Sequence, residues 1–157
     1  VFEIHGISHA SQHLQNAKVA ERQKDAADGL LYQKYEIPPK IDVKYVDTVC
    51  PGSAIDLWIR TDTTVMGSEG LGERGKPAEK VGEEAAMFLI KQFESETPID
   101  EHSCDQLLPY MALAGESKIR VARITNHCLT NIWAIEKFLP VKFKINEKER
   151  IISCSGI

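Results

Sequence analysis

The sequence lacks any apolar run approaching the roughly 20 residues that a helix needs to cross a bilayer, so no membrane-spanning helix is expected. It also lacks an initiator methionine. It opens on Val1-Phe2-Glu3-Ile4-His5, with an acid where a secretory leader would place a basic flank and an apolar core. That opening predicts no signal peptide, and a chain that starts inside a longer protein or after processing. Cysteine is scarce: Cys50, Cys104, Cys128 and Cys154 form no Cys-x-x-Cys pair and are too sparse for a disulfide scaffold. They read as reduced thiols, which points to a cytoplasmic location. Internal repeats and low-complexity tracts are missing as well. Excess charge of one sign is slight: the net charge of -4 excludes a polycation that grips nucleic acid along its whole length.

What is present is the composition of a soluble globular protein, 43% hydrophobic and 27% charged over 157 residues, enough for one ordinary domain or two small ones. The charge is uneven. Residues 1–98 carry 11 basic and 16 acidic side chains, whereas residues 99–157 carry 8 and 7. Affinity for a phosphate backbone is therefore expected to be local and C-terminal.

The periodicities alternate between strand and helix. Residues 1–7 alternate apolar and polar as a half-buried strand does, and residues 8–15 are polar. A helical stripe of Val19, Gln23, Ala26, Ala27, Leu30 and Leu31 predicts a helix over about 17–35, stopped by Pro38 and Pro39. Strands are predicted over 41–46 and 54–59, with a short third over 63–68. A glycine-rich connector leads to Pro77, placed as the first residue of a helix running to about Phe93. A domain boundary is placed near residue 98. Beyond it the pattern reads helix (103–114), strand (118–124), helix (131–139) and two strands (141–145 and 150–154). The fold class is α+β: a small α/β sandwich over 1–98, then residues 99–157, which read as part of a larger sheet.

Two clusters can carry chemistry. Glu101-His102-Ser103-Cys104-Asp105-Gln106 opens the first helix after the boundary. It reads either as a capped start, with Ser103 as the cap and Gln106 closing a capping box, or as an anion site on free backbone N–H groups. Thr125-Asn126-His127-Cys128-Leu129-Thr130 lies between a strand and a helix, where Thr130 can cap. Asn126 and Thr130 can orient the His127 imidazole, which becomes a competent nucleophile when its other nitrogen is held. A structural histidine bridging the loop is the alternative. Zinc held by His102, Cys104, His127 and Cys128 has suitable residue types, but the spacings match no common finger or ribbon. His5, His9 and His13 recur every four residues, yet their surroundings read as strand and loop, so they are expected to be ordinary surface or packing histidines. Gly70, Gly72 and Gly75 fit a dinucleotide pattern by letter only, without an acidic ribose partner downstream. Arg74 and Lys76 beside them could touch phosphate or simply form a solvated basic turn.

Three segments taken in order resemble the C-terminal motifs of RNA 3′-terminal phosphate cyclases. They are Leu71-Gly72-Glu73-Arg74-Gly75-Lys76-Pro77, then Asp100 through Gly115 with its Asp105-Gln106-Leu107, then His127-Cys128-Leu129-Thr130-Asn131-Ile132. Val19-Ala20-Glu21-Arg22 is similar to the same family. The resemblance implies an inserted α+β domain over residues 1–98, followed by the C-terminal part of a βαβαββ repeat of the catalytic domain. It implies an ATP-dependent ligase that adenylylates a histidine, moves the adenylyl group to an RNA 3′-phosphate and closes a 2′,3′-cyclic phosphate. His127 matches the adenylylated histidine, and His102, Ser103, Cys104, Asp105 and Gln106 match the ATP-binding segment. ATP, magnesium or manganese, RNA 3′-phosphate ends and the missing N-terminal half of the same enzyme are the implied cofactors and partners. No metal ligand in the chain is implied. A non-catalytic cyclase-like protein that binds RNA in ribosome assembly is the alternative; it would be expected to lack the histidine.

Overall fold

The alternation at the start of the chain produces a strand, β1 (Phe2–Ser11), that runs four residues further than the pattern predicts. Ser8 and Ser11 look polar, yet both are buried in the computed structural model, which describes residues 2–155. Ser8 stays in the strand because its Oγ has polar company: Ala20 O lies 2.7 Å away and Gln23 Oε1 3.0 Å. A 3₁₀ turn (Gln12–Leu14) leads to α1 (Val19–Tyr35) and β2 (Lys40–Val46). β2 pairs parallel to β1, as a strand–helix–strand crossover allows. The hairpin β3 (Ser53–Thr61) and β4 (Val65–Leu71) adds antiparallel to the other side of β1. The sheet order is β2-β1-β3-β4. Gly70 and Leu71, read from sequence as connector, complete β4, and the third strand lies at 65–71 rather than 63–68. Pro77 precedes α2 (Ala78–Phe93) as its N-cap, with an extended ψ of 142° rather than a helical one.

Ile4, Leu31, Ile41, Ile55, Leu57, Ile59, Val81 and Leu89 form the core between this sheet and the two helices. α1 and α2 approach closely at Gly82. A Cβ there would sit 2.0 Å from Gln23 O, so no larger residue fits without moving a helix. Arg22 on α1 grips Glu79 on α2 with its Nε and Nη2, which donate to the two carboxylate oxygens at 2.7 and 2.8 Å.

The chain divides into two compact units, Val1–Glu94 and Ser95–Ile157. The second contains α3 (Glu101–Ala114), β5 (Ser117–Arg120), α4 (Asn126–Phe138), β6 (Lys142–Asn146) and β7 (Ile151–Ser155). Its sheet order is β5-β7-β6, all antiparallel. β5 is four residues long where seven were predicted, because Val121 leaves the β7 ladder and bridges in parallel to Ile99. Ala122 N–H then donates to Ile99 O at 2.8 Å. The segment entering α3 therefore runs beside the segment entering α4, in the same direction. Two helices that leave from parallel neighbours start at the same end, which sets the geometry of the candidate site.

Candidate active site

α3 buries Cys104, Leu108, Met111 and Ala112, and α4 buries Cys128 and Ile132. These spacings of four, seven and eight residues make one stripe per helix. The first residue of each stripe is a cysteine, and the two sulfurs lie 2.7 Å apart with both side chains fully buried. This contact joins the two sequence clusters. It places His127, one residue before Cys128, and the 102–106 segment around Cys104 at adjoining helix starts.

The caps differ from the expected ones. α3 starts at Glu101, two residues earlier than predicted, and its cap is Asp100, not Ser103. The Asp100 carboxylate accepts from the backbone N–H of His102 (3.0 Å) and of Ser103 (2.7 Å), while the Ser103 hydroxyl donates to its second oxygen at 2.8 Å. A carboxylate held at the positive end of the helix dipole is favourable. It also takes the backbone donors that an anion would need, so this helix start is no open phosphate cradle. α4 starts at Asn126, five residues earlier than predicted, and Thr125 caps it, accepting from Cys128 N–H at 3.2 Å. Thr130 does not cap; its hydroxyl donates to Asn126 O at 2.9 Å, inside the helix. It is thereby drawn away from the imidazole it was expected to orient.

His127 is thus the second residue of a helix rather than a loop residue, and it is exposed. Among the described residues nothing accepts from the backbone N–H of Asn126 or His127. Those two donors and the dipole face outward beside the imidazole, where negative charge is favoured. His102 and Gln106 are exposed, Ser103 and Asp105 half-buried, and Cys104 inaccessible. Pro109 has no N–H, so the Asp105 carbonyl loses its helical donor four residues on.

The thiols are electrostatically unequal. The hydrogen bond between them raises Cys104 far above an ordinary thiol and lowers Cys128 below one. Thr125 and its backbone add to the lowering at Cys128, and burial opposes it. The Asp105 carboxylate raises both thiols, so its charge is felt on both helices.

Zinc finds no support in this arrangement. The two cysteines meet, but among the described residues no group of three or more His, Cys, Asp or Glu side chains could hold a metal. His5 and His9 lie on β1 and His13 in the 3₁₀ turn, so the three share no helical face. His5 stacks on Trp58 at 5.9 Å, and His9 Nδ1 lies 3.7 Å from Asp56. Gly72 and Gly75 line a cleft of about 500 Å³ with Arg22, Arg74 and Lys76, in the first unit. No helix among the described residues is long and apolar enough to cross a membrane.

Sequence reasoning missed Arg150. Its backbone is left-handed (φ 56°), and its guanidinium donates to Ala122 O (3.2 Å) and Ser95 O (3.1 Å), pinning the loop that leads to His127. Its position in a polar hairpin gave no sign of this, since the partners lie 28 and 55 residues away. Arg123, exposed in that same loop, is a cation four positions before His127 that sequence reasoning also passed over.

Comparison with known proteins agrees with the motifs. The family described as RNA 3′-terminal phosphate cyclase (RTC), insert domain, matches residues 1–94. RNA 3′-terminal phosphate cyclase of Methanosarcina acetivorans is 44% identical over 153 residues, covering 98% of this chain and 41% of that protein. The cyclase of Thermococcus onnurineus is 44% identical over 140 residues (89% of this chain, 40% of that protein). That of Pyrococcus furiosus is 39% identical over 145 residues (92% and 41%). The chain spans about two fifths of the length of these relatives. An α+β architecture, an insert domain matched over its first 94 residues and relatives matched along nearly its whole length lead to one conclusion: this chain belongs to the RNA 3′-terminal phosphate cyclase family.

Proposed function

We propose that this chain carries the adenylyl-accepting histidine of an enzyme that uses ATP to convert an RNA 3′-terminal phosphate to a 2′,3′-cyclic phosphate, and that His127 is that residue. The observation that carries the reading is the meeting of two helix starts at Cys104 and Cys128, which sets an exposed imidazole beside the 102–106 segment.

A neutral imidazole nitrogen of His127 attacks the α-phosphorus of ATP, forming an N–P bond as pyrophosphate leaves. The phosphoramidate stays reactive, so one difficult transfer becomes two easier ones. An oxygen of the RNA 3′-phosphate then takes the adenylyl group and frees His127. The neighbouring 2′-hydroxyl attacks the activated phosphorus, closes the ring and releases AMP. Charge builds on phosphate oxygens at each step, and stabilising it is the main work of such a site. Within this chain the donors for that work are the N–H groups of Asn126 and His127 and the Arg123 guanidinium.

In the 102–106 segment, contact with ATP falls to the side chains of His102, Ser103, Asp105 and Gln106, because Asp100 occupies the backbone donors. Cys104 is buried against Cys128 and holds the helices in register. Magnesium or manganese is expected to arrive on the ATP phosphates, the usual mode for such ions with nucleotides. The remaining phosphate-binding groups are proposed to come from the N-terminal half of the same enzyme. On this reading the full-length protein, given ATP and an RNA oligomer with a 3′-phosphate, converts the ends to a phosphatase-resistant form. His127→Ala should reduce conversion to the uncatalysed background; unchanged conversion would remove His127 from the chemistry.

A further inference from the structure

Among the described residues the Cys104–Cys128 pair is a nucleophilic cluster that the proposed reaction does not use. Both thiols are fully buried, 2.7 Å apart, one in the first turn of α4 and one just past the first three residues of α3. A disulfide needs sulfurs at about 2.05 Å, so sulfurs 2.7 Å apart have less than about 1 Å left to close. The two partners also differ in the way a redox pair needs. Cys128 lies at the third residue of α4, where the helix dipole favours a thiolate, and as a thiolate it would accept the hydrogen bond that the two sulfurs share. Cys50 is exposed and Cys154 is buried elsewhere in the core, so neither competes for this contact.

We propose that Cys104 and Cys128 are a redox modification site, a dithiol that closes to a reversible intrachain disulfide under a hydroperoxide such as hydrogen peroxide. Cys128 is the attacking sulfur. Its thiolate takes one peroxide oxygen, the O–O bond breaks, and the leaving hydroxide is protonated to water. The product is a sulfenic acid at Cys128. Cys104 then attacks that sulfur, loses its proton and expels the hydroxyl group as a second water. The two sulfurs are oxidised together by two electrons and the peroxide is reduced by two, so no further oxidant is needed. Hydrogen peroxide is scarcely larger than water, and the pair lies under helix ends, the parts of a helix that open most readily. The flanking residues His102 and His127 are already exposed. The bond would tie the start of α3 to the start of α4 across a separation of 24 positions. A consequence for adenylyl transfer rests on the reading of His127 above; formation of the bond does not.

The test is a peptide map under non-reducing conditions of the full-length protein in a Cys50→Ser background, after mild peroxide treatment. The expected result is the Cys104 peptide linked to the Cys128 peptide, lighter by two hydrogens and separated again by dithiothreitol. In Cys104→Ser protein a dimedone adduct should appear at Cys128. In Cys128→Ser protein Cys104 should remain a thiol. Separate overoxidation of the two cysteines, or both staying alkylatable after unfolding, would overturn the proposal. So would a dimedone adduct at Cys104 rather than Cys128. The map reads the bond whether or not the protein accepts an adenylyl group, so failure of the one idea is distinguishable from failure of the other.

Discussion

Asp100 shows how a single side chain decides what a helix start can do. It satisfies two backbone donors and the Ser103 hydroxyl at once, and its charge sits at the favourable end of the α3 dipole. Asp100→Ala should therefore lower unfolding stability by about 1–2 kcal/mol in a denaturant titration, with Asp100→Asn losing less. Tyr35 poses the opposite problem. Among the described residues its buried hydroxyl has no hydrogen-bond partner, although the ring packs edge-on against Phe2 and Phe93 at 5.4 and 5.8 Å. Burial, with the Glu94 carboxylate adding to it, pushes the phenol up to about 12. In the unfolded chain it ionises near ~10. As pH rises from about 10 to about 12 the unfolded state gives up this proton and the folded state keeps it, so stability falls across that window. Tyr35→Phe should flatten the loss when the urea midpoint is followed against pH, without lowering the midpoint at neutral pH, because it removes an orphaned polar atom.

At the scale of elements, close packing of α1 on α2 depends on a missing side chain. Gly82→Ala would force a Cβ into Gln23 O, and a cost of about 1–3 kcal/mol is expected in equilibrium unfolding, as for other overpacked sites. Much of this level was legible in the sequence. The stripes of α1 and α2, the existence of the strands that became β2, β3 and β4, and the stop at Pro38 and Pro39 follow from period and turn chemistry, whereas the pairing of β3 with β4 does not. What escaped were the ends. Ser8 and Ser11 were read as loop because their polarity was visible and their buried partners were not. The start of α4 was placed too late because Asn126, His127 and Cys128 are poor helix formers, and a Thr125 cap with a buried Cys128 outweighs that weak preference. Both site clusters were found as motifs. From the residues their meeting was weighed only as a zinc site of unsuitable spacing, since it arises from the parallel run of 99 beside 121, a long-range pairing with no local signature.

At the scale of the whole molecule, the proposed nucleophile His127 needs more phosphate-binding groups than this chain offers it. Tyr110 and Leu113 on α3 and Trp133 and Phe138 on α4 are all more than three-fifths exposed, more apolar surface than a finished helix layer leaves bare. This accords with a chain that spans about two fifths of its relatives, and with site groups contributed from outside it. The most direct measurement is to incubate protein with ATP radiolabelled at the α-phosphate and map the acid-labile label by peptide sequencing. In the full-length protein the account predicts one label, on His127, discharged by RNA with a 3′-phosphate, with little or none on the 157-residue chain alone. Label on another residue, or full labelling after His127→Ala, would contradict it.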